Sequence, residues 1–473
     1  MPYVHVLYET DWEIAQDTVV RSDIMEENME SFDVFVIGTG TAGETAVSEL
    51  LEKGDGLRIG IADERPYGGT CALRGCQPKK FLVVPAHAAM EGRALTERGF
   101  RSAPELDWKS MHRSLREFTD PIPQSSRNGL EEKGVACFSG HCQFLSPGTL
   151  RCGDQSISAR YFIVATGARP RTLPIKGADL AVSSDGFLSL EELPQRIVFI
   201  GGGYVSMEFS YTASAAGASV TVLHRSGRIM KQFDPDMVSI LQNACSTRGM
   251  NIRTGKSPVE IRKSDFGHYQ VMLEDGETIE ADLVVAAIGR VSNVDALGLN
   301  KAGVTFDSSG IETNGHMRTS QDHIFAIGDC VKGTQLSPVS DLQARTAARN
   351  ILDPGSENAD ISTLPSVVFT YPQLAMVGMD EQIARERGKI RIAQGSGAGW
   401  PNYRRLNESH VGHKVIIDTE TETVLGAHLV GPHAGELINL FALAIKYQLP
   451  VNELQELPWA YPTYSADIKY MLG

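Results

Sequence analysis

Two cysteines with four residues between them, Cys71 and Cys76, stand behind the turn Gly68-Gly69-Thr70 and ahead of Gln77-Pro78-Lys79-Lys80. A disulfide closing so short a loop adds little as a structural staple, since that gain grows with loop length. The same spacing suits a pair that opens and closes by thiol–disulfide exchange. Cys137 and Cys142 repeat the gap without a Gly-Gly-Thr turn, and they read, with Cys152, Cys245 and Cys330, as buried apolar thiols. Seven cysteines in 473 residues are too few for a disulfide scaffold, which implies a reducing, cytoplasmic setting.

The surrounding chain supplies nucleotide-binding elements. The β-rich run from Phe32 to Ile37 meets Gly38-Thr39-Gly40-Thr41-Ala42-Gly43 and then a helical pattern. In such a turn the first Gly allows the bend, the second lets backbone approach a pyrophosphate, and the third lets helix and strand pack closely. A second strand ends in Asp63, 20 residues beyond Gly43, where a carboxylate can take ribose hydroxyls. Thr166 and Gly167 close another strand with a small-residue turn. Gly201-Gly202-Gly203-Tyr204-Val205-Ser206 opens a second nucleotide fold, with Ser206 at the third glycine position. Its partner strand ends in His224-Arg225, with Arg228 and Lys231 beyond, so cations stand where an NAD site would place an acid. That pattern favours a 2′-phosphate and hence NADPH over NADH. Gly289-Arg290 ends a further buried strand, and Gly328-Asp329 ends another before a helix opening at Leu336-Ser337. Asp329 is placed to meet a hydroxyl-rich ligand, and the helix N-terminus to face an electron-accepting ring.

Composition fits this reading. Charged residues make up 22% and hydrophobic residues 42%, and no apolar run approaches the roughly 18 residues of a membrane span. The net charge of -14 argues against nucleic-acid or anionic-membrane partners. The acidic stretch from Met1 to Ser31, with Arg21 its only Lys or Arg, has neither signal-peptide nor transit-peptide character. The expected architecture is α/β, with two Rossmann-like, doubly wound dinucleotide-binding domains and a C-terminal α+β dimerisation domain. The expected boundaries are a tail over residues 1–30, a first nucleotide domain over 31–180, a second over 181–305, a return to the first over 306–362, and an interface domain over 363–473.

From Phe32 onward, this combination resembles the flavin-dependent pyridine-nucleotide disulfide oxidoreductases, among them glutathione reductase, dihydrolipoamide dehydrogenase and mercuric reductase. The resemblance implies FAD on Gly38, Gly40, Thr41, Ala42, Gly43, Asp63, Gly69, Thr70, Thr166, Gly167, Gly328, Asp329, Leu336 and Ser337. It implies NADPH on Gly201, Gly203, Tyr204, Val205, His224, Arg225 and Lys231, with Gly289 and Arg290 beside one or both cofactors. Cys76 matches the thiol beside the flavin and Cys71 the thiol that meets substrate. Lys80 and Glu208 match an ion pair near the flavin, with Lys79 the rival if the register slips, and Tyr204 matches the residue covering the nicotinamide pocket. Electrons would pass from NADPH through FAD to the Cys71–Cys76 pair and on to a small disulfide, in a homodimer. In disulfide-reducing members a C-terminal His and Glu supply a base and its orienting carboxylate, whereas here Tyr461 and Ala466 stand at those places. A phenol, with a reference pKa of about 10, is a poor general base at neutral pH but can donate a hydrogen bond. Reduction of a metal ion, as in mercuric reductases, or of a quinone or other electrophile is therefore the alternative activity. A redox-sensing flavoprotein that binds a partner is the alternative of another class. Arg74, between the cysteines, either lowers the Cys71 pKa, binds an anion, or faces solvent.

Overall fold

The computed structural model describes residues 29–473. The expected tail therefore lies outside the described residues except for Met29 and Glu30. These two belong to the first strand, β1 (Met29–Ile37), where Met29 pairs with Ser156. The described chain groups into two compact units, and the first contains residues up to 69, 122–168 and 291–359.

In this first unit, helix α1 (Thr41–Lys53) and strand β2 (Ile59–Asp63) follow β1. Then come β3 (Ala136–Ser139), β4 (Cys142–Ser146), β5 (Thr149–Cys152) and β6 (Gln155–Val164). They form one sheet in the order β3-β2-β1-β6-β5-β4, with Ile324–Ala326 also pairing β6. β3, β2, β1 and β6 run parallel, whereas β4 and β5 are an antiparallel hairpin turning at Pro147-Gly148. Successive side chains along a strand alternate between faces, which divides the core in two. Phe35, Ile37, Phe144 and Phe162 pack on one side; Val34, Val36, Ile61 and Ile163 pack on the other, with Ala46 and Leu50 of α1 and Ala344 and Ala347 of the helix Ser337–Leu352. Such two-sided burial explains why the parallel strands read as continuous apolar runs.

The second unit contains residues 70–121, 169–290 and 360–473. The segment 70–121, expected within the first nucleotide domain, thus groups with this unit. It carries the helices Cys76–Ala94 and Trp108–Thr119. A four-stranded parallel sheet follows, in the order Asn251–Thr254, Ser219–His224, Arg196–Ile200, Leu283–Ala286, beside the helix Tyr204–Ala215. The C-terminal part is a five-stranded antiparallel sheet covered by the helix Ala434–Lys446. The sequence pattern predicts its strands over 366–370, 414–418 and 423–430 and misses Gln373–Gly378 and Ile390–Gly395. Lys414 of this sheet is 97% covered and bonds Asp234, the N-cap of the helix Pro235–Thr247, at 2.8 Å. A buried cation joins the sheet to the nucleotide-binding part of the same unit.

Candidate functional site

The first unit builds a dinucleotide cradle. Gly38 has φ +114°, a conformation that L side chains rarely adopt, and a Cβ there would lie 2.2 Å from the Ala165 carbonyl oxygen. A Cβ on Gly43 would lie 1.9 Å from the Gly38 oxygen. Bare backbone is thus required at both ends of the turn, and α1, opening at Thr41 and Ala42, presents its unsatisfied amides beyond Gly40. Asp63 accepts from both the amide and the hydroxyl of Thr39, each at 2.8 Å. Thr39 is fully buried and fixes the carboxylate to the loop. Sequence reading passes over it because any residue can occupy the second place of a glycine turn. Thr166 donates to the Asn293 carbonyl at 2.8 Å, and Gly167 accepts from the Asn293 amide at 2.9 Å. The Gly328 amide donates to the Gln343 side-chain oxygen at 2.8 Å, which sets half-buried Asp329 just ahead of Leu336, the N-cap of the helix starting at Ser337.

The second unit holds a matching turn. Gly201 has φ +126°, and a Cβ there would lie 2.2 Å from the Ala287 oxygen. The Ser206 hydroxyl returns a 2.7 Å bond to the Gly201 carbonyl, so this small polar residue replaces the third glycine by tying helix to turn. Gly203 caps the helix that Tyr204 and Val205 begin. Tyr204 stacks edgewise on Phe233 at 5.5 Å, and burial pushes its phenol up to about 12. His224 lies under the turn, its ring 2.8 Å from where a Gly202 Cβ would stand. Arg225 and Lys231 are exposed at the end of the same strand, and neither forms an ion pair among the described residues. Arg290, following Gly289, reaches the Thr70 hydroxyl at 3.5 Å.

That threonine opens onto the thiols. Cys71 is half-buried in the short helix Gly69–Leu73, and Cys76 is exposed at the head of the helix Cys76–Ala94. Between them, Arg74 is 16% exposed and its Nε lies 3.8 Å from the Asp185 carboxylate, so it does not simply face solvent.

The lysine assignment requires correction. Lys79, not Lys80, forms the ion pair with Glu208, a fully buried carboxylate on the helix Tyr204–Ala215. Lys80 instead lays its ammonium over the Phe369 ring. Positions i+3 and i+4 from Cys76 share one helix face, so spacing alone cannot choose between them. The location of Glu208 in the folded unit decides. Its other oxygen accepts from the Phe369 amide at 2.8 Å. Burial draws the Lys79 ammonium down, but Glu208, helped by Cys76 and Cys71, more than offsets this and leaves it above the usual lysine value. Burial lowers Lys80 to about 7, with Glu208 resisting.

Lys80, Phe81 and Val84 also line an open cavity of about 540 Å³, completed by Ser110, Met111 and Ser114 of the neighbouring helix. The thiol-bearing helix therefore has a bay beside its second and third turns. Tyr461 is 71% exposed and makes no hydrogen bond among the described residues. Ala466 is buried, next to Asp467, which bonds Asn402 at 2.9 Å. No group of three or more His, Cys, Asp or Glu side chains among the described residues could hold a metal ion. No helix among them is long and apolar enough to cross a membrane.

The chain is similar to known proteins over most of its length. Residues 32–348 match the model for pyridine nucleotide-disulphide oxidoreductases, and residues 364–472 match that family's dimerisation domain. The chain is 31% identical to a glutathione reductase of Burkholderia cepacia over 92% of its own length and 97% of the relative's. It is 32% identical to a dihydrolipoyl dehydrogenase of Chlamydia muridarum, covering 92% and 94%. A solved Cu(II) complex of RclA, an HOCl-induced flavoprotein disulfide reductase from Escherichia coli, superposes with a TM-score of 0.85 at 25% identity, covering 94% of this chain and 99% of that one.

Proposed function

The chain belongs to the pyridine nucleotide-disulphide oxidoreductases as an NAD(P)H-dependent flavoprotein disulfide reductase, and from that premise we propose that it uses NADPH to reduce a small disulfide. The observation that carries this reading is the Lys79–Glu208 ion pair behind the Cys71–Cys76 turn, on the helix that also walls the open cavity.

The glycine turns fit the cofactor, since bare backbone is needed at Gly38 and Gly43 and the helix amides lie beyond them. Gly38, Gly40, Gly43, Asp63, Thr166, Gly167 and Asp329 would hold FAD. Held there, the flavin would supply the two-electron chemistry that links a nicotinamide to the thiol pair. The chain's residues then do the following. Cys76 receives the electrons, and Cys71 leaves as a thiolate, the form that attacks a disulfide. The Lys79 cation stabilises that negative charge, and buried Glu208 keeps the lysine charged and in place. Cys71 attacks the substrate sulfur, one half of the substrate departs as a thiol, and Cys76 then displaces the other half to restore the disulfide. Lys80, beside the cavity, offers a cation to an anionic substrate. Arg225 and Lys231 receive the 2′-phosphate of NADPH, which gives the preference over NADH. Exposed Leu443, Tyr447, Leu457 and Tyr461 support a homodimer built through the dimerisation domain.

A second reading, reduction of a metal ion by the thiol pair, is favoured by Tyr461 in place of the expected base and by the Cu(II) in the RclA complex. The metal would be a substrate of the two sulfurs. The deciding experiment is anaerobic reduction of the holoenzyme by NADPH, followed by rapid-mixing reoxidation with small disulfides, mercuric ion, cupric ion and quinones. Fast reoxidation by a disulfide, abolished in Cys71→Ser, supports the first reading. Indifference to every disulfide with fast metal turnover replaces it with the second.

A further inference from the structure

The β4–β5 hairpin carries a second cysteine pair that the proposed reaction does not use. Cys142 lies directly opposite Cys152 in the antiparallel register. The neighbouring pair carries a hydrogen bond, from the Gly153 amide to the His141 carbonyl at 3.0 Å. Hydrogen-bonded and non-hydrogen-bonded pairs alternate along such a ladder, so Cys142 and Cys152 occupy the non-hydrogen-bonded site, where Cα atoms are about 4.5 Å apart and side chains approach most closely. That separation lies within the roughly 4.4–6.8 Å that a disulfide spans. Both sulfurs turn toward one acceptor, the Gly140 carbonyl, at 4.0 and 3.7 Å. Each side chain is buried, Cys142 at 4% and Cys152 at 3% exposure, while β4 is an edge strand of its sheet.

We infer that Cys142 and Cys152 are a second redox-active dithiol, a modification site that a small two-electron oxidant such as hydrogen peroxide converts to a cross-strand disulfide. In the first step one thiolate attacks a peroxide oxygen, the O–O bond breaks, and a sulfenic acid and hydroxide form. The facing thiol then attacks the sulfenic sulfur, the S–S bond forms, and the S–O bond breaks. With the protons released, both departing oxygens become water; two thiols are oxidised by two electrons and one peroxide is reduced. Access comes through local opening of the edge hairpin. The geometry then needs little backbone movement for closure. The site also touches the nucleotide cradle, because the Gly140 amide donates to the Asp63 carbonyl at 2.9 Å.

The test uses the full-length holoenzyme, treated with hydrogen peroxide until exposed Met29 has become its sulfoxide, then denatured, alkylated and digested with trypsin. Cleavage after Arg151 separates the two cysteines, and fragmentation distinguishes Cys142 from Cys137 on the same peptide. The expected result is loss of alkylatable Cys142 and Cys152 together from most chains, with a linked peptide that dithiothreitol releases. Retention of both alkylatable thiols at that dose overturns the inference, as does a bridge from Cys152 to Cys137 or independent over-oxidation of the two sulfurs.

Discussion

Replacing Lys79 with Met tests the corrected ion pair at its most sensitive point. Glu208 is fully buried, and after the substitution its carboxylate keeps only the Phe369 amide at 2.8 Å. Breaking one partner out of a buried pair costs about 3–5 kcal/mol, because the remaining charge has lost its water and its counter-ion. Lys80→Met removes a cation–ring contact at a half-buried site, worth about 0.5–2 kcal/mol. The two variants should therefore separate clearly in urea unfolding of the holoenzyme. Glu208→Gln should recover most of the loss in the Lys79→Met background, and little in the Lys80→Met background. Equal losses in the two lysine variants, or rescue by Glu208→Gln only beside Lys80→Met, would refute the assignment.

If Arg225 and Lys231 hold the 2′-phosphate, replacing both with Ala should raise the KM for NADPH at least about tenfold, the loss of one charge-assisted contact, and leave NADH little changed; equal effects on both would reject the preference. Cys76→Ser should abolish the long-wavelength absorbance of the two-electron-reduced holoenzyme while Cys71→Ser retains it, and the opposite result would exchange the two thiol roles. Burial lowers Lys80 to about 7 against an unfolded value of about 10.4, so between these values the unfolded chain binds the extra proton. Its contribution to stability should thus rise with pH across that window, and Lys80→Met should flatten the rise in a pH series of urea midpoints; an unchanged slope would contradict the shift. Tyr461→His combined with Ala466→Glu should increase disulfide turnover at neutral pH, and no gain in a variant that still binds FAD would mean that the tyrosine serves another chemistry.

Local chemistry was the legible part of this chain. Gly38, Gly43 and Gly201 announce themselves because a side chain at each would strike backbone about 2 Å away, and no other residue type solves that problem. The Asp63 strand end and the thiol spacing are legible for the same reason, since chemistry and sequence distance coincide. Lys79 was not legible. Its neighbour Lys80 shares the residue type and the helix face, and the choice depends on a carboxylate 129 positions further along the chain. Thr39 and Asp185 were missed because each acts through a contact across tens of residues or more that follows no local period. The strands Gln373–Gly378 and Ile390–Gly395 offered only short apolar runs, Leu374 to Val377 in the first and a stretch broken by Arg391 in the second, too little to announce a strand.

Glu208 explains why a charged pair is kept in so apolar a place. One oxygen holds Lys79 on the thiol-bearing helix, the other accepts the Phe369 amide just after the strand Ser366–Val368 of the C-terminal sheet, and the residue itself rides on the helix that Tyr204 opens. A hydrophobic substitute could fill the volume, and buried ion pairs are often replaceable at no loss of stability. It could not fix three separately folded segments in one register or keep a cation poised beside two thiols. The pair is therefore better understood as a positioning device than as a source of stability, and a Glu208→Leu, Lys79→Met double variant should retain its fold while its Cys71 thiol is alkylated more slowly at neutral pH; an unchanged alkylation rate would reject that role.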